Sequence, residues 1–418
     1  MVKKKVPEET LKSIETTIMK KKQEHKSVIR VPSGCDLLDT AVGGGEGLGF
    51  PFGKIINIVG DKSSGKTFLG CEIIAATRSK YKAKLKWIYD DCESGFSFNT
   101  QNMYGFEIMP TVLAERQKST TVEEAFCNIK DFFNALKDDE YGIYVIDSLD
   151  GIDSEKGTEL ADERYKAHQK GKEYKQGSYR MDKPKYLSQE FFPQLTDLIE
   201  KKHGLLIIIS QVRTNIDPMS FEKYSRAGGK AMDFYCHTVL WLAQVNKIKK
   251  KNRAIGVTVK AKTTKSKTAR PYREIFFTLL FDYGLDNVAS NIDFLFDFLT
   301  PTGQLVKDPK AKWNEANEYS MSTLKQFLID KGKEELYRTT IHPTLRNAEI
   351  MEWLRAPKQK KLFDELEINN NIEMSRQELI NYVEENKLHQ VLTERMIQKW
   401  EMIEASIRTN RPPKYSHE

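Results

Sequence analysis

The sequence predicts an α/β protein: a doubly wound, mostly parallel sheet with helices on both faces, preceded by an N-terminal helix and followed by a mostly helical C-terminal domain. Three observations lead there. Continuous apolar or β-branched runs at 54–59, 85–89, 141–146 and 205–209 suit parallel strands buried on both faces. Helical stretches at 66–80, 121–137 and 187–202 alternate with those runs. The first run leads into a glycine-rich loop that opens a helix, the arrangement of a phosphate-binding loop.

Taken in order, residues 1–30 form a separate element. Pro7 suits a first helical turn, and Leu11, Ile14 and Ile18 share one face before a lysine-rich stretch. Three apolar residues are too few for an independent core, so this helix is expected to dock elsewhere, on a neighbouring subunit or as a surface helix. Residues 31–300 carry the alternating core. Its later runs, 238–245, 255–259 and 275–281, lie close together between turns and read as an antiparallel extension. The segment 301–418 opens with the turn-like PTGQ and continues with helical stretches at 321–330, 346–355 and 376–386. Its 19 basic and 19 acidic residues cancel.

Composition narrows the class. Of 418 residues, 39% are apolar and 30% charged, with 66 Lys+Arg against 59 Asp+Glu and a net charge of +7. No apolar run approaches the roughly 18–20 residues of a membrane span, and the basic start MVKKKVPEET lacks the apolar region of a signal peptide. Cys35, Cys71, Cys92, Cys127 and Cys236 are scattered, which points to reduced thiols in a cytoplasmic protein, with Cys92 a buried strand-end residue. The seven histidines show no ligand spacing, so no structural zinc is expected.

The loop Gly60-Asp61-Lys62-Ser63-Ser64-Gly65-Lys66-Thr67 fits GxxxxGK[ST] at every position. Its glycines let backbone N–H groups face phosphate oxygens, and the helix N-terminus adds positive potential. Lys66 reaches the β- and γ-phosphates in such loops, and the Thr67 hydroxyl ligates Mg²⁺. Asp147 ends the strand YGIYVID, as the acid that holds the magnesium shell. Glu93, just past the strand KWIYDD, is the candidate for orienting or deprotonating the attacking water, with Asp90 and Asp91 in competition. Gln211, at the end of GLLIIIS, is a polar group positioned to sense the γ-phosphate.

The charge is concentrated in three segments, each read as a loop. Residues 164–186 hold eight basic and two acidic residues with Tyr165, Tyr174, Tyr179 and Tyr186; Lys166, Lys170, Lys172, Lys175 and Arg180 are its nucleic-acid candidates. Residues 212–230 follow Gln211 and carry Arg213, Lys223, Arg226, Gly228 and Gly229. Residues 247–273 have eleven basic residues and no acidic one. Cations interleaved with aromatics suit a nucleic-acid backbone and stacked bases, whereas each segment alone could be a solvated loop.

The motif order VPSGCDLLDTAVGGG, GDKSSGKT, YDDCES, YVIDS, IIISQVRTNI, AGGKAMDFY and KSKTARPYREIFFTLLFDYG resembles the RecA family of homologous-recombination ATPases, bacterial RecA and UvsX-like phage recombinases, over roughly residues 30–300. The resemblance implies a RecA-like P-loop core and a DNA-dependent ATPase that uses ATP and Mg²⁺, forms helical filaments on single-stranded DNA and pairs it with homologous duplex DNA. It leaves room for accessory loader or single-strand-binding proteins, and for a bacterial or a viral source. It implies that Glu93 is the catalytic glutamate and that Gln211 links the γ-phosphate to the second DNA loop, 212–230, with 151–186 the first. It also implies that Lys265 and Lys267 reach a neighbour's ATP in trans, and that Phe281, with Tyr283 as rival, stacks on adenine. The first loop is longer and more basic than in bacterial RecA, and a strongly acidic C-terminal tail is lacking. A hexameric RecA-fold helicase and a KaiC- or RadA-like regulatory ATPase are the alternatives.

Overall fold

A computed structural model describes residues 29–43, 48–171, 182–214, 224–226, 228–313, 373–407 and 409. The N-terminal helix expected in 1–30 and the helices expected at 321–330 and 346–355 lie outside the described residues.

Strand β1 (Arg30–Val31) pairs with β2 (Phe50–Pro51), with α1 (Asp36–Gly43) between them. The core then runs β3 (Lys54–Gly60), α2 (Lys66–Tyr81), β4 (Leu85–Asp91), α3 (Thr100–Tyr104), α4 (Val122–Ala135) and β5 (Tyr141–Asp147). Next come α5 (Glu155–Gln169), α6 (Asp182–Tyr186), a π-helical turn (Leu187–Phe191), α7 (Phe192–Lys201), β6 (Gly204–Thr214), β7 (Tyr224–Arg226) and α8 (Gly229–Tyr235). Strands β8 (Thr238–Lys250), β9 (Arg253–Ser266), β10 (Glu274–Leu280) and β11 (Gly284–Asp286) precede α9 (Asn287–Leu295). After β12 (Lys310–Lys312), the chain is described again from β13 (Glu373–Ser375) through α10 (Arg376–Glu385) and α11 (His389–Ser406).

The main sheet has the order β11-β10-β9-β8-β3-β6-β5-β4. Strands β4, β5, β6, β3 and β8 are mutually parallel, and β9 to β11 extend the sheet antiparallel. Of the runs read as an antiparallel extension, 255–259 and 275–281 are so placed, whereas 238–245 is β8, which joins the sheet parallel to β3 and pairs antiparallel only with β9. Side chains alternate across it. Ile56, Ile58, Ile143, Val145, Ile207 and Ile209 pack with Leu69, Ile73 and Ile74 of α2. Ile55, Val59, Tyr144, Ile146, Leu206 and Ile208 pack with Ile129 and Phe133 of α4 and Leu195 and Ile199 of α7. Strands buried on both faces lose the polar alternation of half-exposed ones, hence the continuous apolar runs. Helix α4 shows the usual logic: Val122, Ala125, Ile129 and Phe133 form its buried stripe, and Thr121 caps it by accepting from Glu124 N at 3.2 Å.

Two of the charged segments are not the loops expected. Within 151–186, residues Glu155–Gln169 form α5, capped by Ser154, whose hydroxyl accepts from Gly157 N at 3.1 Å. None of its residues is buried, so it lacks an apolar stripe and hydrophobic periodicity could not reveal it. Most of 247–273 belongs to the hairpin β8–β9, turned at Lys251 and Asn252 with φ of 48° and 62°; only residues 267–273 are loop. The strand lysines persist because Lys260 and Lys262 flank Glu274 of β10, at 2.5 and 2.8 Å.

The C-terminal helices close over α1 and α9. Leu379, Ile380 and Val383 of α10 and Leu392 of α11 share a cluster with Val288, Ile292 and Leu295, while Met396 and Trp400 reach the main core. Arg376 pairs with the buried Asp293 (Nη2 to Oδ2, 2.9 Å), and Arg273 pairs with Glu404 at 3.0 Å.

Candidate functional site

The parallel strands end on one edge, and register decides what meets there. Gly60 of β3 lies opposite Gln211 of β6, and Asp91 of β4 opposite Asp147 of β5. The phosphate loop leaves β3 at this edge. Gly65, at φ 88°, is the residue before α2, a conformation that disfavours side chains. A Cβ on Gly60 would lie 2.3 Å from Ser64 Oγ, so the loop curls too tightly for any other residue. Ser64 Oγ is buried and has no hydrogen-bond partner. Lys66 Nζ donates to Asp61 O at 2.8 Å, folding back over the loop. Burial holds its ammonium below the usual lysine range, against the pull of Asp147, Glu93, Asp61 and Asp150. Lys62 and Ser63 are exposed on the loop's outer side.

Thr67 Oγ1 and Tyr89 OH both donate to Asp147 Oδ2, each at 2.7 Å. Burial pushes the Asp147 carboxyl up; the two hydroxyls work against it. A hydroxyl and a carboxylate in contact are the hard oxygen donors that suit Mg²⁺. The three carboxylates at and just past the end of β4 have different surroundings. Asp90 is fully buried and accepts from Ser119 N at 2.8 Å and Tyr144 OH at 2.7 Å. Asp91 accepts the N–H groups of Gly95 and Phe96, at 3.1 and 3.0 Å, and so shapes the turn. Glu93 alone of the three is exposed. Its Oε1 accepts from Gln211 Nε2 at 2.8 Å and from Ser148 Oγ. Cys92 is buried, its thiol held protonated chiefly by burial, an inert strand-end residue.

Lys265 and Lys267 are remote from this edge. Lys265 pairs with Val239 and Ser266 with Thr238, which itself pairs with Ile56 near the start of β3. Lys265 is thus about three residues, roughly 10 Å, down the sheet from Gly60. Its Nζ donates to Phe234 O at 3.1 Å and to Asp233 O. Phe281 and Tyr283 are both exposed on the turn after β10, at the carboxyl edge, where Leu279 lies beside Gly65.

Of the nucleic-acid candidates, Lys166 lies in α5 and Lys170 closes it; Lys172, Lys175, Arg180 and Lys223 lie outside the described residues. Arg213 pairs with Asp150 at 2.7 Å, and Arg226 pairs with Asp233. Gly228 and Gly229, with φ of 87° and 55°, open α8. Sequence reasoning passed over Tyr89, Ser148, Asp150 and Lys183. Lys183 Nζ donates to Leu149 O at 2.6 Å and to Ile152 O, bracing the turn after β5. Tyr89 and Ser148 fall inside the motifs YDDCES and YVIDS without a role assigned there, and no motif marks Asp150 or Lys183; only their neighbours in space give the four their roles. A cavity of about 820 Å³ lined by Arg78, Trp87, Tyr104 and Phe106 lies at the far end of α2 and shares no residue with the phosphate loop. No helix among the described residues is long and apolar enough to cross a membrane.

A sequence model of the RecA N-terminal domain matches residues 5–286. The RecA protein of Ehrlichia ruminantium is 28% identical over 281 residues, 66% of this chain and 70% of that protein. The RecA protein of Oleidesulfovibrio alaskensis is 26% identical over 270 residues, 64% and 70% of the two chains. Among solved structures, the RadB recombinase is 18% identical and matches with a TM-score of 0.40, covering 61% of this chain and 98% of that one.

Proposed function

The chain belongs to the RecA family, and from that premise we propose that it is a DNA-dependent ATPase that assembles into filaments on single-stranded DNA and promotes pairing and strand exchange with homologous duplex. The observation that carries this reading is the Gln211–Glu93 contact of 2.8 Å. The water-positioning candidate is held by a side chain whose strand continues through Arg213 into the basic second loop, so occupancy of the nucleotide site and of the loop share one mechanical element.

In this reading the phosphate-loop N–H groups and Lys66 hold the β- and γ-phosphates, and Lys66 exchanges its internal bond to Asp61 O for phosphate oxygens. Thr67 and Asp147 would hold Mg²⁺, which when bound neutralises phosphate charge. Glu93, exposed and ionisable, orients the attacking water and accepts its proton. The Gln211 side chain turns from Glu93 toward the γ-phosphate, near Arg213 on the same strand. Lys265 and Lys267, remote from the chain's own phosphate loop, serve the site of an adjacent subunit. Phe281 or Tyr283 covers the adenine. Arg213, Arg226 and the lysines of the first and second loops meet DNA phosphates, so binding is largely independent of base sequence and weakens with salt.

The test is ATP turnover with and without single-stranded DNA, alongside electron microscopy of the same mixture. Stimulated turnover with filaments is expected. Turnover indifferent to DNA, or closed rings that unwind duplex, would overturn the reading.

A further inference from the structure

Asp150 lies in the 3₁₀ turn Leu149–Gly151 that follows β5, outside every motif of the phosphate site. Its side chain is 7% exposed, against 59% for Arg213. One oxygen, Oδ2, accepts the backbone N–H of Gln211 at 2.8 Å; the other, Oδ1, accepts from Arg213 Nε at 3.1 Å and Nη2 at 2.7 Å. The backbone ladder between β5 and β6 stops at Ile146 and Ile208, so the carboxylate takes over where the strands part. The turn is not free to follow Arg213. Lys183 grips the carbonyls of Leu149 and Ile152, on either side of Asp150, and a Cβ on Gly151 would lie 3.0 Å from Glu93 Cγ. A single rigid turn therefore touches Glu93 on one side and the root of the second loop on the other.

The Nε–Nη2 edge of a guanidinium is the edge that takes phosphate. Here both donors converge on a single carboxylate oxygen, because Gln211 occupies the other. We propose that Asp150 is a positioning residue that stands in for DNA phosphate on Arg213, holding the root of the second loop beside the nucleotide site until single-stranded DNA displaces it. The proposal rests on the DNA-binding reading above and deepens it. Nucleic acid must compete with an internal anion, so Asp150 lowers affinity for DNA. When Arg213 leaves, Gln211 keeps its own bond to Oδ2, and the strand end stays in register while the arginine changes partner.

The experiment measures anisotropy of a labelled oligothymidylate bound by the full chain with a non-hydrolysable ATP analogue. Asp150→Asn keeps an acceptor for Gln211 N but removes the charge, and should tighten binding by up to about fivefold, the upper end of the range for an ion pair with an exposed partner. Asp150→Glu should return affinity toward wild type, a rescue that generic loosening of the turn would not produce. In an Arg213→Ala background, Asp150→Asn should change nothing. Asp150→Ser should tighten binding likewise, and serves if the asparagine variant folds poorly. Unchanged or weaker binding by the Asp150 variants, or equal tightening without Arg213, would overturn the proposal. A wild-type chain that does not bind the oligonucleotide at all would overturn the DNA-binding reading instead.

Discussion

Replacing Glu93 by glutamine separates positioning from proton transfer. The amide oxygen can still accept from Gln211 Nε2 and Ser148 Oγ, so the local geometry survives while basicity is lost. A positioned general base contributes about 10²- to 10⁴-fold, or roughly 3–5 kcal/mol on the barrier at about 1.4 kcal/mol per tenfold. Glu93→Gln should therefore bind ATP and single-stranded DNA normally and lose turnover by that factor, measured as steady-state phosphate release with saturating DNA. Asp90→Asn is the matched control. Asp90 is sealed from water and faces only donors, Ser119 N and Tyr144 OH among them. An amide NH₂ turned toward those donors should cost about 1–3 kcal/mol of stability, with per-folded-molecule turnover retained. Turnover of Glu93→Gln within about twofold of wild type, or turnover lost in Asp90→Asn with stability intact, would refute the assignment of the base.

Mixing Lys265→Ala with Lys66→Ala should restore part of the ATPase activity that neither variant has alone, because each supplies the half-site the other lacks; no rescue at any ratio would count against a shared site. Removing Arg376 strands the buried Asp293 carboxylate and should lower unfolding free energy by about 3–5 kcal/mol, checked by denaturant titration, whereas Asp293→Leu with Arg376→Met should recover most of it. Burial holds the Glu72 carboxyl up at about 7, against hydrogen bonds from Leu285 N and Tyr104 OH that pull it down. Its folded pKa lies above its unfolded value, so its contribution is complete below about pH 4.5 and is lost as pH rises through 7, on the order of 3 kcal/mol. Glu72→Gln should flatten the fall in Tm between pH 5 and 8, Asp39 providing a remaining slope because burial raises it to about 7 too; an unaltered profile would exclude Glu72 as a source.

By itself the sequence determined the core architecture. Strands buried on two faces are almost wholly apolar, so β3, β5 and β6 announce themselves, with β4 beside them at the sheet edge, and a P-loop needs its glycines, Lys66 and Thr67 at fixed spacing. It also named Asp147, Glu93 and Gln211, since residues near the carboxyl ends of parallel strands meet on one edge. Tertiary structure decided what spacing cannot express. The helix α5 carries charge all round and so hides from periodicity, and most of the lysines of 247–273 belong to strands, two of them neutralised by Glu274 on the next strand. Asp90 and Glu93 are three residues apart and alike in type; one is sealed beneath Ser119 and Tyr144 while the other faces solvent, a difference made by segments about 30 to 50 residues away. The partnership of Asp150 with Arg213 spans 63 residues and exists only because β5 and β6 lie side by side and then diverge. Local pattern records which faces are buried; which charge meets which is settled by strand order and register.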